Sequence, residues 1–285
     1  MLRVMRSIAI TAIVFILLLS TFRPTFAQRT GGPSDPVQAQ AVLTVSESKR
    51  LIARAVVQMP IVRRALSDGL VIVTHGTTNT YVAEEILGKP IARPGFVSGM
   101  VLPMKGAKPL PKTENVPEVV LRNGKVVEGL SLQAAVRELK AGDVVIKGGN
   151  ALNYQNKIAG VCIGNQDAGT SGMVMPYVVG RKAYLVIPIG LEKNISGNVV
   201  DVQKEMRNPI ESLNPIPSMF LLTGEIVTEI EALNILTGVS AFQATAGGID
   251  GAEGAVRLIM RGPRETVKKA LTLVQSIQGE PPFVQ

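Results

Sequence analysis

Short, almost wholly apolar segments recur along this chain, and each leads into a turn and then a helix-patterned stretch; no other feature limits the fold as strongly. The segments are 70–74 (Leu-Val-Ile-Val-Thr), 144–146, 161–163 and 184–189. Apolar at successive positions, they fit strands buried on both faces, whereas a half-solvated antiparallel strand would alternate. Helical periodicity follows at about 79–87, with Gly88 as the stop, from about Asn153, and from about Thr170. An earlier helix opens at Thr44, which has capping-box spacing to Glu47, and carries Leu51, Ile52, Ala55 and Val56 on one face until Pro60. Ser131 caps another, bearing Leu132, Ala135, Val136 and Leu139, while Asn123-Gly124 between β-rich arms predicts a hairpin. Strand and helix in alternation predict an α/β domain over 44–193, an open, mostly parallel sheet with helices on both faces.

The flanks read differently. Arg3 and Arg6 precede an apolar run over 8–19, and Thr25-Phe26-Ala27 supplies small residues at a cleavage position, so 1–27 predicts a secretory signal. The run is shorter than the roughly 20 residues a spanning helix needs, so export to the periplasm or extracellular space is expected. Membrane attachment would come only through an uncleaved signal. Residues 28–43 read as a flexible linker and 194–217 as a polar, proline-containing connector. The tail, 218–285, predicts β-α-β-β-α, a small α+β module of ferredoxin-like type, with the helix starting at Ile226.

Cys162 and His75 are the only residues of their kinds. No intrachain disulfide can form, and a conventional zinc site has too few ligands, so no metal and no cofactor is expected. The net charge is +8, with Arg3, Arg6 and Arg23 in the leader. That mild excess suits a small anionic ligand. Nucleic acid would call for a concentrated basic stripe with stacking aromatics, and the chain has four Tyr, seven Phe and no Trp. Homo-oligomerisation is left open.

Three turns carry the chemistry: His75-Gly76-Thr77-Thr78-Asn79, Lys147-Gly148-Gly149-Asn150, and 164–170, which includes Asp167, Gly169 and Thr170. In open α/β sheets ligands sit at the carboxyl ends of strands, where helix N-termini offer free N–H groups. Glycine permits close backbone approach, Thr77 and Thr78 offer hydroxyls, and Lys147 adds full charge. Single turns of this kind also serve as plain βα connections; their coincidence points to a site.

The first turn, with its preceding Asp68-Gly69 and apolar strand, resembles the phosphate-binding turn of the ribose-5-phosphate isomerase, DeoR-type sugar-regulator sensor and CoA-transferase superfamily. Residues 146–152 with Gln155-Asn156-Lys157 resemble the isomerase signature. The resemblance covers 65–190 and implies anion binding by Lys147 and Lys157. It also implies a catalytic glutamate at position 156, and Asn156 stands there instead; an amide cannot shuttle that proton. Ahead of Lys147, Ala141-Gly142-Asp143 supplies one acid where the family has an acidic run. Binding is therefore favoured over isomerisation. An isomerase or transferase of altered mechanism would use His75 or Asp167 as acid or base, against their plainer roles as a backbone-bonding turn residue and a helix cap. A structural or assembly role in the cell envelope is a third reading.

Right-handed crossovers keep parallel strands pointing one way, so strands ending at Thr74, Ile146 and Ile163 are expected to bring His75, Lys147 and Asp167 around one cleft. Lys147 is expected to be solvated at the strand mouth.

Overall fold

The computed structural model describes residues 35–99, 101–103, 105–106, 111 and 113–284. The secretory signal and the first part of the linker lie outside them. In chain order come β1 (Val37–Leu43), α1 (Val45–Val56), α2 (Pro60–Ser67), β2 (Leu70–Val73), α3 (Thr77–Leu87), β3 (Val119–Arg122) and β4 (Lys125–Val126). Then follow α4 (Leu132–Val136), β5 (Val144–Ile146), β6 (Ala151–Asn153), β7 (Ile158–Ile163), α5 (Gly169–Arg181) and β8 (Tyr184–Pro188). The last part holds α6 (Val199–Met206), β9 (Ser218–Thr223), β10 (Glu225–Val227), α7 (Glu229–Thr237), β11 (Ser240–Ala246), β12 (Val256–Gly262) and α8 (Arg264–Gln275).

The fold is mixed α/β around a six-stranded sheet ordered β10-β8-β5-β2-β3-β4. Strands β10, β8, β5 and β2 run parallel, and the β3–β4 hairpin extends the sheet antiparallel. Every residue of β2 and β5 is buried, which matches their uninterrupted apolar sequence. Asn123 and Gly124 both take positive φ, 50° and 75°, so the two-residue β3–β4 turn is the Asn-Gly hairpin the sequence predicts. Helices α1, α3 and α7 pack together, and α2 packs on β2 and β5. The expected capping box of α1 is formed, with Thr44 N donating to Glu47 Oε2 at 2.8 Å.

Four expectations are corrected. Residues 37–43 of the supposed linker form β1, because Val37, Ala39, Ala41 and Leu43 alternate inward and pair with β12. No helix starts at Asn153. Residues 151–163 form the β6–β7 hairpin, turning at Lys157 with φ 52°. The connector holds α6, whose Asn198 side chain accepts from Val200 N. The tail is no free-standing ferredoxin-like module: β9 pairs with β7, β10 joins the parallel sheet beside β8, and β11 and β12 make a sheet with β1. Ile226 accordingly lies in β10, and α7 starts later, behind a Thr228/Glu231 capping box.

A charged clamp fixes the helix layer beside the site. Arg50 of α1 meets Glu84 at 2.6 Å, Glu85 at 2.9 Å and Glu280 at 3.0 Å, and Arg93 meets Glu84 and Glu280. The Tyr81 ring lies between the two guanidinium groups, 4.7 Å from Arg50 and 4.4 Å from Arg93. Burial would raise the Glu84 and Glu280 carboxyls, but hydrogen bonds from both arginines outweigh it and hold both below the usual value.

Candidate functional site

The carboxyl edge of the parallel strands is where buried polar groups collect. Strand β2 continues into Thr74, level with Lys147 beyond β5, since Val73 pairs with Ile146. Residues abreast on parallel strands share a face, so Thr74 and Lys147 project to the same side. Asn79 of α3 reaches that side, donating through Nδ2 to Thr74 O at 2.9 Å, Thr74 Oγ1 at 3.2 Å and Ile146 O at 3.3 Å. Gly76 makes this approach possible. Its φ 152° and ψ 151° belong to a region only glycine occupies readily, and the bend lets α3 start over the end of β2.

The neighbouring strands add charge. Beyond β8, the 3-10 turn Leu191–Lys193 brings Lys193 Nζ to Gly149 O at 2.8 Å and Glu192 Oε1 to Lys49 Nζ of α1 at 3.6 Å. Beyond β10, Glu229 opens α7 and accepts from Leu191 N at 2.9 Å. Lys193 feels the charges of Glu192, Lys49 and Glu229, and its bond to Gly149 O joins this charged cluster to the nest formed by Lys147, Gly148, Thr74 and Asn79. Glu229 is wholly buried and Lys147 is 6 % exposed. Gly76, Thr77, Gly148, Glu192 and Lys193 keep part of their surface in solvent and form the open side.

Lys147 has no hydrogen-bond acceptor or carboxylate partner for its ammonium among the described residues, and desolvation alone lowers it to about 8. The expectation of a solvated lysine is therefore corrected. Burial raises Glu229 to about 7, and the Glu192 charge adds to the effect. Desolvation also lowers Lys193. Four buried polar oxygens lack a partner among the described residues: Thr78 Oγ1, Asn79 Oδ1, Glu192 Oε2 and Glu229 Oε1. Asn79 Oδ1 faces Gly148 in the nest, and the Glu192 and Glu229 oxygens belong to the adjoining charged cluster.

The sequence-predicted residues divide. Thr78, Asn79, Lys147, Gly148 and Gly149 meet here, with Gly76 and Thr77 at the rim; the Cβ position of Gly148 is 3.6 Å from Asn79 Oδ1. His75 turns away, its Nε2 2.7 Å from Val116 O, its Nδ1 3.6 Å from Glu118 and its ring edge-on to Phe96. It braces the segment leading into β3. Asp167 is exposed, and the cap is supplied by Asn165, whose Oδ1 accepts from Asp167 N and Gly169 N. The turn carrying Asp167, Gly169 and Thr170 leaves β7, which belongs to the antiparallel β6-β7-β9 sheet, so the three turns do not share one edge. Asn150 Oδ1 accepts from Cys162 N and holds that hairpin. Lys157 is committed to Glu231 at 2.7 Å and to the Tyr154 ring at 3.4 Å. Asp143 lies at the opposite end of β5, accepting from Leu70 N and Lys140 N.

Glu192, Lys193, Glu229 and Lys49 were not singled out in the sequence. The available signal was positional, because Glu192-Lys193 and Glu229 lie in the turns just past β8 and β10, as Lys147 lies in the turn past β5. Among the described residues, no group of three or more His, Cys, Asp or Glu is placed to hold a metal ion. A surface cleft of about 540 Å³ lined by Arg54, Arg63 and Glu85 shares no residue with the nest. No protein-family model, curated protein or solved structure shows significant similarity to this chain.

Proposed function

We propose that this is an exported binding protein that takes up a small anionic ligand at the carboxyl edge of its parallel sheet, with Lys147 as the counter-ion. One observation carries the reading: a lysine only 6 % exposed whose ammonium has no hydrogen-bond or carboxylate partner among the described residues, with the unpaired Asn79 amide oxygen at the adjoining Gly148. A buried charge is costly unless paired, and an anion in the nest would supply the pair. The early likeness to the ribose-5-phosphate isomerase, sugar-regulator sensor and CoA-transferase superfamily agrees with such an edge; isomerase activity of the familiar kind is not part of the proposal, because Asn156 holds the glutamate position. Export rests on the leader sequence, with cleavage after Ala27, and membrane attachment would follow only from an uncleaved leader. Among the described residues no helix is long and apolar enough to cross a membrane.

A thermal-shift screen of the mature chain with organic acids, sugar phosphates and nucleotides tests the reading. A ligand at 100 times its Kd stabilises by about 2.7 kcal/mol, roughly 5–10 °C for a chain of this size. No shift across the panel would refute it.

A second reading, catalysis, is favoured by Glu229. A carboxyl held at about 7 by burial is poised for proton transfer at neutral pH. The acid–base role then belongs to Glu229 rather than to His75 or Asp167, whose positions leave them outside the nest. Turnover of any ligand found in the screen should fall by about 10²–10⁴ in Glu229→Gln and stay unchanged in Asp167→Asn.

A further inference from the structure

Between α6 and β9 the chain crosses the surface without regular structure, as Asn208-Pro209-Ile210-Glu211-Ser212-Leu213-Asn214-Pro215-Ile216-Pro217. Ile210, Leu213 and Ile216 are 71 %, 100 % and 57 % exposed, so three aliphatic side chains at three-residue spacing stand in water rather than in the core. A single exposed aliphatic is ordinary, but a run of them in one short segment marks an interaction site. Pro209, Pro215 and Pro217 fix φ and remove backbone donors, which stiffens the segment and reduces the entropy it would lose on docking.

The complementary surface lies along α7. One hollow, of about 540 Å³, has Val57, Ile235 and Leu236 on its apolar side and Arg54 and Arg63 on its charged side. A second, of about 350 Å³, lies between α7 and the start of β11 over Ile230, Ile235 and Ala241. Ile235 borders both and is itself exposed, so the two hollows form one groove. The Arg63 guanidinium and the Glu211 carboxylate make no ion pair among the described residues, and their charges are opposite. The lengths agree as well. At about 3.1 Å per residue in extended chain and about 1.5 Å in a helix, Ile210 to Leu213 covers about 9 Å, as Ile230 to Leu236 does along α7.

The segment lies away from the groove of its own chain. It ends at Ser218, which pairs with Ile163 at one end of the β7–β9 ladder. The second hollow is rimmed by Glu231, which holds Lys157 beyond the other end, where Thr223 pairs with Ile158. From Ser218 to Thr223 the strand covers about 17 Å.

We propose that segment 208–217 of one copy docks in the α7 groove of a second copy. Ile210 enters the Arg63 hollow, Leu213 enters the hollow between α7 and β11, and Glu211 pairs with Arg63. The two halves of this contact are different surfaces, so copies join head to tail, and every assembly that has not closed into a ring still offers a free segment and a free groove. A segment this short covers less than the roughly 1,600 Å² of a standard stable interface, so assembly is weak and rises with concentration. It uses no residue of the carboxyl-edge nest and stands apart from ligand binding.

Sedimentation velocity of the mature chain from about 10 µM to about 1 mM tests this, since a weak contact fills within that range. The average mass should climb with concentration and fall in about 0.5 M salt, which screens the Glu211–Arg63 pair. A synthetic peptide of residues 208–217 in excess should return the unmodified protein to monomers. Leu213→Asp, at a fully exposed position, and Arg63→Glu, at an exposed position of α2, should each stay monomeric. Mixed in equal amounts they should stop at a one-to-one dimer, because Arg63→Glu keeps an intact segment and Leu213→Asp an intact groove. Glu211→Arg combined with Arg63→Glu in one chain should regain assembly. A wild-type chain that stays monomeric throughout, or an assembly that the peptide leaves untouched, would overturn the proposal. So would variants that assemble as wild type does, or a mixture of the two variants that remains monomeric. Failure of the charge reversal to regain assembly would overturn the pairing of Glu211 with Arg63.

Discussion

Lys147→Met should make the ligand-free protein more stable, which is the reverse of what removing a lysine from a solvated strand mouth would do. Methionine keeps the apolar stem and removes the charge. The wild-type ammonium is lowered from 10.5 to about 8 by burial alone, and at about 1.36 kcal/mol per unit this corresponds to a penalty of roughly 3 kcal/mol. The sign follows from linkage. Below pH 8 both the folded and the unfolded lysine are protonated, so the full penalty is present; between about 8 and 10.5 the unfolded chain holds more protons, and folded stability recovers as pH rises. The variant should therefore exceed wild type by about 2–3 kcal/mol at pH 7, roughly 4–12 °C in Tm, with the gap closing toward pH 10. Urea denaturation of both proteins across pH 7–10, at equal ionic strength, measures it. A variant less stable than wild type at pH 7, or a gap independent of pH, would refute the claim that Lys147 is a desolvated, unpaired ammonium.

Four further outcomes follow. Glu280→Gln should destabilise by about 2–3 kcal/mol in chemical denaturation, because Arg50 and Arg93 lose a shared and largely buried carboxylate. Since Glu84 and Glu280 are held below the ordinary carboxylate value, the stability they contribute is complete above about pH 4.5 and falls as pH drops through their folded values; acid titration of Tm should show a steeper loss in wild type than in Glu280→Gln. Glu229 is raised to about 7, so its cost appears as pH climbs from about 4.5 to 7, and Glu229→Gln should gain on wild type over that interval, with Ser48, Lys49, Glu192 and Lys193 as the groups facing it; a constant difference would contradict the burial argument. Gly124→Ala, at φ 75° and with Leu66 O 3.1 Å from the new Cβ, should cost about 1 kcal/mol by the same denaturation assay while leaving ligand affinity untouched.

What the sequence disclosed and what it hid divide along the range of the interactions. Features set within a few residues were legible. The Thr44/Glu47 box, the Asn123-Gly124 hairpin, the wholly apolar β2 and the left-handed Gly88 stop are all local, and all are present. Pairings decided by distant residues were not. Val37 faces Gly262 across the β1–β12 ladder, so alternation over 37–43 had no visible partner, and a strand was read as a tether. The β6–β7 hairpin is hidden differently: β6 spans only Ala151–Asn153, too short for a period to show, and the strand–helix alternation on either side leads to the expectation of a helix from about Asn153.

The site shows the same division. Lys147, Thr78 and Asn79 were legible because glycine turns after apolar strands mark the carboxyl edge of a parallel sheet. Glu192 and Glu229 stand after strands of the same sheet, but nothing near them in sequence tells that β10 lies beside β8. Burial was hidden as well. Lysine at a strand end reads as solvated until the fold buries it to 6 % exposure, and only then does its charge become the unusual feature of the edge.

The most direct measurement is the Lys147 ammonium itself, followed by NMR of ¹³Cε-labelled lysine in the mature chain, with Lys147→Met to assign the resonance. The account predicts titration near pH 8 in the free protein and a rise toward 10.5 on saturation with an anion found in the thermal-shift screen, because the bound anion supplies the missing partner. Titration near 10.5 in the free protein, or a value unmoved by any anion that binds, would contradict it.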